Sequence, residues 1–330
     1  MRVCVFRSAK CVELEERPVP EVRDRFVLVK VGVCGICGSD VAAWQGIGGK
    51  GFPYSPGHEF CAVVAQTGRA VSGLEAGQRV VIDPNLGCGV CRFCTMGRPN
   101  LCDALKTRRI KSNGGLADYV ALDGRMVYAL PEGLPDELAP FVEPLSCALH
   151  MVDVADVKSA GLVAVFGAGS MGTLVGMALQ SRGAEVFFIE PHETRRQRVS
   201  RLLGVRAMTP EELPGSELVG RVDAAIECSG SARAVAQAIA LLRKGGRLVL
   251  GGLVGQAPGA GIPLGDITRK ELEVCGSWLN PNTFGAAIDL ALSSRKALSQ
   301  IPAETFPLDD VGAAFARAMS ADAPKVLVRP

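Results

Sequence analysis

Histidine is scarce in this sequence: His58, His150 and His192 are the only three imidazoles among 330 residues. A charge imbalance is lacking too, since 36 Lys and Arg stand against 34 Asp and Glu, a formal net charge of +2 with the signs interspersed. That excludes the basic stripe of a nucleic-acid binder and a polybasic membrane patch. No apolar run reaches the roughly 18 residues that a membrane-spanning helix needs. The N-terminal run Val3-Cys4-Val5-Phe6 is too short for the apolar core of a secretory signal, and charges soon follow it. Internal repeats and low-complexity tracts are absent. The expectation is a soluble, cytoplasmic protein with neither nucleic-acid nor membrane partners.

The chain does have length and apolar content. It is too long for one ordinary core and suggests domains of roughly 150 residues each, and a hydrophobic share of 48% is ample for burying them. The twelve cysteines are unevenly spread. Cys88, Cys91, Cys94 and Cys102 fall within one short segment at metal-site spacing. Cys61, Cys147, Cys228 and Cys275 stand singly in apolar settings, where a thiol packs as a small hydrophobe. A reducing compartment fits this distribution.

Two rhythms divide the chain. From about 26 to 150 it is β-rich and punctuated by glycine, with strands expected at 26–33, 61–64 and 79–82. From about 160, continuous apolar strands (162–166, 185–189, 222–226, 247–250) alternate with helices (170–182, 193–203, 231–243). That pattern predicts a parallel sheet covered on both faces. The tail after about 283 predicts a helix, Pro/Asp-rich text, a second helix at about 309–319 and a short strand at 326–328.

Gly167-Ala168-Gly169-Ser170-Met171-Gly172 follows a predicted strand and opens a predicted helix. Gly167 permits the tight turn, Gly169 lets a pyrophosphate approach the backbone, and Gly172 lets helix and strand pack closely. The helix N-terminus adds free N–H groups and a positive dipole end. Glu190 ends the next strand, where an acid accepts both ribose hydroxyls and repels a 2′-phosphate, so NAD is expected over NADP. Arg195 either lies against the adenine or belongs, with Arg196, to a solvated helix face.

Four thiolates in one loop close a tetrahedron on Zn²⁺ with no open position, as in a structural site. An iron–sulfur cluster would normally require a further cysteine after three intervening residues beyond Cys94, and neither Gly97 nor Arg98 is one. A second set is scattered, as catalytic zinc ligands usually are: Cys37 in Gly35-Ile36-Cys37-Gly38-Ser39-Asp40, His58 and Glu59 after Gly57, and Glu143 before Pro144-Leu145.

Together these motifs resemble the zinc-dependent medium-chain dehydrogenase/reductase superfamily, and within it the polyol branch of sorbitol and threonine dehydrogenases. Glu227-Cys228-Ser229-Gly230 and Lys244-Gly245-Gly246 also fit. The resemblance implies an α/β protein in three segments: a GroES-like β-rich catalytic domain over 1–146, a Rossmann NAD-binding domain over 147–282, and a return over 283–330 that completes the catalytic domain. It implies a catalytic zinc on Cys37 and His58, with Glu59 or Glu143 as third protein ligand, and a structural zinc on Cys88, Cys91, Cys94 and Cys102. The reaction implied is reversible oxidation of a secondary alcohol or polyol to a ketone, with zinc as Lewis acid, Ser39 accepting the hydroxyl proton and NAD the hydride. A homodimer or homotetramer is the family habit.

Two departures stand out. Ala42 occupies a position where relatives often carry a relay histidine, and Trp278-Leu279-Asn280 stand where polyol dehydrogenases tend to have a sugar-contacting arginine. Trp44 and Trp278 are candidate walls of a greasier pocket. A metal-independent reductase of the same fold and a non-catalytic NAD-binding protein are the rival readings; retained metal ligands argue against both.

Overall fold

The structure, a computed structural model, describes residues 1–47, 51–107, 114–252, 261–320, 323 and 325–330. It divides into two compact units, Met1–Glu143 with Phe284–Pro330, and Pro144–Thr283.

The first unit opens with an antiparallel hairpin, β1 (Arg2–Ser8) and β2 (Cys11–Glu16). The apolar run of the N-terminus is therefore a buried strand. β3 (Phe26–Gly35) runs into the short helix α1 (Gly38–Trp44), followed by β4 (Glu59–Thr67) and β5 (Arg79–Ile82). The two-residue strands β6 (Asn85–Leu86) and β7 (Lys106–Thr107) pair with each other and bracket the cysteine-rich segment, which contains one turn of helix, α2 (Arg92–Thr95). β8 (Tyr119–Asp123) pairs with β3, β9 (Val127–Ala129) pairs with β5, and α3 (Val142–Ala155) begins at the unit boundary. Pro144 sits in the first turn of α3, where its missing N–H costs no helical hydrogen bond.

The second unit carries the alternating pattern. β10 (Leu162–Phe166), α4 (Ser170–Ser181), β11 (Glu185–Ile189), α5 (Glu193–Leu203), β12 (Arg206–Met208), β13 (Val222–Glu227), α6 (Ala232–Leu241), β14 (Leu242–Leu250), α7 (Leu264–Lys270) and β15 (Glu273–Gly276) follow in turn. The six strands are all parallel, in the order β12-β11-β10-β13-β14-β15. The strand order reverses direction between β10 and β13, whose carboxyl ends are in register at Phe166 and Glu227. In open α/β sheets this switch point is where ligands bind. The middle strands are buried on both faces, which is why they read as unbroken apolar runs.

The tail contributes α8 (Phe284–Ser293), α9 (Arg295–Leu298), β16 (Ala303–Pro307), α10 (Val311–Ala318) and β17 (Lys325–Arg329) to the first unit. β17 pairs antiparallel with β3 (Leu327 opposite Gly35), giving the sheet order β16-β17-β3-β4-β5-β9. Phe315 of α10 packs edge-on against Phe6 at 5.0 Å and against Trp44 at 5.8 Å. Trp44 is thus part of this core, whereas Trp278 in the second unit is 47% exposed. No helix among the described residues is long and apolar enough to cross a membrane.

Candidate active site

Cys37 ends the loop after β3 and is the N-cap residue of α1, with extended backbone. Asp40, three residues on, is fully buried, and its Oδ2 accepts the Cys37 N–H at 3.4 Å. The same oxygen lies 3.2 Å from Nδ1 of His58, which is buried just before β4. One carboxylate therefore ties the Cys37 turn to the His58 turn. Ligand atoms of Cys37, His58 and Glu59 all lie within 4.8 Å of one another. Ser39 donates its hydroxyl to Cys37 Sγ at 3.2 Å. Glu143, in the first turn of α3, is buried but is not one of these three. A thiolate, an imidazole and a carboxylate at this separation are the donor set of a zinc ion with a position left open.

Glu59 has a partner that sequence reasoning missed. Lys325, the first residue of β17, places Nζ on Glu59 Oε2 in a pair buried on both sides. Burial alone would push the ammonium down, but the anionic groups of Glu59, Cys37 and Glu143 outweigh it and hold Lys325 above its ordinary value. The two residues are 266 positions apart and no local pattern links them.

Cys88, Cys91, Cys94 and Cys102 form the other cluster, their sulfurs also within 4.8 Å of one another. Backbone N–H groups point at the sulfurs: Val90 and Cys91 donate to Cys88 Sγ at 3.5 and 3.3 Å, and Cys88 donates to Cys102 Sγ at 3.2 Å. These bonds favour thiolates, as the lowered value of Cys88 reflects, and the Cys94 N–H draws Cys91 down to about 6. Cys61, away from both clusters, behaves oppositely: burial pushes its thiol up to about 12.

In the second unit Gly167 turns the chain out of β10 at φ 95°. A Cβ on Gly172 would stand 1.8 Å from the Gly167 carbonyl, so only glycine lets α4 begin so close to the strand. At Gly169, the N-cap of α4, an added Cβ would meet no atom within 4 Å; the face is open, as a phosphate cradle requires. Glu190 is buried after β11, its Oε2 accepting the Ala168 N–H at 2.8 Å and its Oε1 the His192 N–H at 3.0 Å. Arg195 lies half-buried in the first turn of α5; burial, and then the nearby Arg195 charge, hold Arg198 below its ordinary value. Two further residues attend the loop. Arg198 donates to the Ala168 carbonyl at 3.3 Å, and Glu227 Oε1 accepts the N–H groups of Ser229 and Gly230 at 2.6 and 2.9 Å, setting the turn that abuts Gly167.

The sequence matches the alcohol dehydrogenase GroES-like domain over residues 23–132 and the zinc-binding dehydrogenase domain over 170–293. Sorbitol dehydrogenase of Halalkalibacterium halodurans is 30% identical across 96% of this chain and 95% of its own. D-altritol 5-dehydrogenase of Agrobacterium fabrum is 29% identical across 90% of each. A zinc-binding dehydrogenase from Sinorhizobium meliloti, solved bound to NADP, superposes with a TM-score of 0.92 at 32% identity over 100% of this chain and 99% of that one. Fold and site together define an oxidoreductase of the zinc-type alcohol dehydrogenase class. Within that class the chain belongs to the zinc-dependent medium-chain dehydrogenase/reductase superfamily, in its polyol dehydrogenase branch.

Proposed function

We propose that the protein oxidises a secondary alcohol of a polyol to the ketone, reversibly, with NAD as hydride acceptor. The observation that carries this reading is the convergence of Cys37, His58 and Glu59 within 4.8 Å. The names of the relatives, a sorbitol and an altritol dehydrogenase, support the substrate class.

In this reading Cys37, His58 and Glu59 or Glu143 hold the catalytic zinc, and Cys88, Cys91, Cys94 and Cys102 the structural one. Zinc supplies a Lewis acid that acidifies the substrate hydroxyl toward neutrality. Asp40 orients His58 through Nδ1 and leaves Nε2 for the metal. Ser39 takes the hydroxyl proton, and with Ala42 where relatives often carry a histidine, the proton leaves next to water or through the Glu59 and Glu143 carboxylates. The Gly167–Gly172 loop and the start of α4 bind the pyrophosphate, Arg195 lies along the adenosine, and Glu190 receives the ribose hydroxyls. A buried carboxylate at that place favours NAD, although the S. meliloti relative was solved with NADP.

The enzyme is proposed to be cytoplasmic and to self-associate as a dimer or tetramer. The edge strand β15 supports self-association: Glu273, Val274 and Gly276 are exposed, and among the described residues β15 pairs only with β14, leaving its outer edge for a second copy. Sedimentation of the purified chain tests the assembly. The test of function is NADH formation by zinc-replete enzyme over polyols, inositols, amino alcohols and simple secondary alcohols. Turnover confined to polyols is the expected result; oxidation of simple alcohols alone would reassign the substrate.

A further inference from the structure

The Lys325–Glu59 pair lies against the proposed ligand cluster, and the sheet is shaped around it. A Cβ on Gly35 would stand 2.6 Å from Glu59 Oε2 and 2.9 Å from Lys325 Cε, so the absence of a side chain at this point of β3 leaves the space that the pair occupies. Lys325 Nζ also donates to the Ile36 carbonyl at 3.4 Å and lies 5.8 Å from the centre of the Phe141 ring. It is 5% exposed and Glu59 2%. Isolated charges this deeply buried are costly, and the lysine persists because anions surround it.

A Cys37 thiolate, Glu59 and Glu143 bring three negative charges toward a doubly charged ion, and Lys325 neutralises the surplus one. Geometry acts in the same direction. With Oε2 engaged by an ammonium, Glu59 has one free oxygen to offer a metal and cannot grip it with both.

We propose that Lys325 is a positioning residue of the catalytic metal site, holding Glu59 to weak, one-oxygen contact so that a coordination position stays open to substrate. This rests on the ligand assignment proposed above. Removing the positive charge should release Glu59 onto the metal. The site then binds its ion more tightly while becoming a poorer Lewis acid. A lysine that merely braced the fold would give the opposite sign, since its loss would loosen the site.

The test uses the full-length enzyme with zinc in the cysteine lobe and either zinc or Co²⁺ in the catalytic site. Lys325→Met and Lys325→Gln are compared with wild type for metal release to a chelator and for the visible d–d bands of Co²⁺, which weaken as coordination number rises. Lys325→Gln keeps a hydrogen-bond donor and serves if the methionine variant does not fold. Both substitutions are expected to tighten metal retention by roughly tenfold or more, because a full charge is removed beside a divalent ion in a medium of low dielectric. Both should weaken the d–d bands, Lys325→Arg should restore them, and in a Glu59→Gln background Lys325→Met should no longer alter them. Metal release equal to or faster than wild type, or unchanged bands, would overturn the proposal. A wild-type chain holding only one zinc would instead remove the ligand assignment beneath it.

Discussion

Asp40 Oδ2 lies 3.2 Å from Nδ1 of His58 and also accepts the N–H of Cys37. One buried carboxylate therefore couples the two turns that carry the first two proposed zinc ligands. Outer partners of this kind fix the ring and raise its basicity, and their loss typically costs about 10–100-fold in metal affinity. Asp40→Asn is expected to weaken catalytic-site zinc by that factor in a chelator competition and to leave the cysteine-lobe zinc in place. Unchanged affinity would reduce Asp40 to a helix cap.

Ser39 is held by its hydrogen bond to Cys37 Sγ, beside the proposed metal position. Positioned acid–base help is worth roughly 10²–10⁴-fold, so Ser39→Ala should lower kcat substantially, most of all near neutral pH where proton removal limits the rate. Ala42→His should help in that same range and little at high pH. Profiles of kcat against pH for the three proteins decide the matter. If Ser39→Ala matches wild type throughout, the hydroxyl serves only Cys37.

Glu190 is the proposed basis of a preference for NAD over NADP. Its carboxylate is buried beside the glycine loop and would face a 2′-phosphate as a like charge. NAD should be preferred over NADP by at least about tenfold, roughly 1.4 kcal/mol, and Glu190→Ser should narrow the gap. Binding constants for both coenzymes measure it. A wild-type preference for NADP would show that Glu190 does not receive the ribose.

What the sequence disclosed, it disclosed locally. The strands 162–166 and 185–189 and the helix 193–203 were legible to the residue, because buried parallel strands are uninterrupted apolar runs and Gly204 stops the helix in a left-handed conformation. The cysteine cluster was legible because its ligands are near neighbours. The Lys325–Glu59 pair was not, since it depends on β17 pairing with β3 across nearly the whole chain. That Trp44 packs against Phe315 was not legible either, because only the placement of α10 brings the two rings together. The edge strand β15 left little trace in the sequence, being short, exposed and without alternation.

Acid should weaken the first unit in part through Asp118. Burial pushes its carboxyl up, but the Arg2 guanidinium at 2.8 Å and the Arg2 N–H prevail and hold it below its ordinary 3.8. A depressed carboxyl stabilises the folded chain fully above the unfolded value and loses that contribution as pH falls through the folded one. Thermal midpoints should therefore decline below about pH 4, and Asp118→Asn should flatten that decline while lowering the midpoint at pH 7. Parallel curves for the two proteins would show that the ion pair contributes nothing to acid sensitivity.

Cys37 and His58 are proposed to hold a catalytic zinc distinct from the cysteine-lobe ion. Metal analysis of protein purified without chelator, wild type beside His58→Ala and Cys94→Ser, tests it most directly. The expected result is two zinc ions per wild-type chain. His58→Ala should retain one, together with wild-type circular dichroism and no dehydrogenase activity; Cys94→Ser should lose the other and melt at lower temperature. One zinc in the wild type, lost only when Cys94 is replaced, would contradict the account.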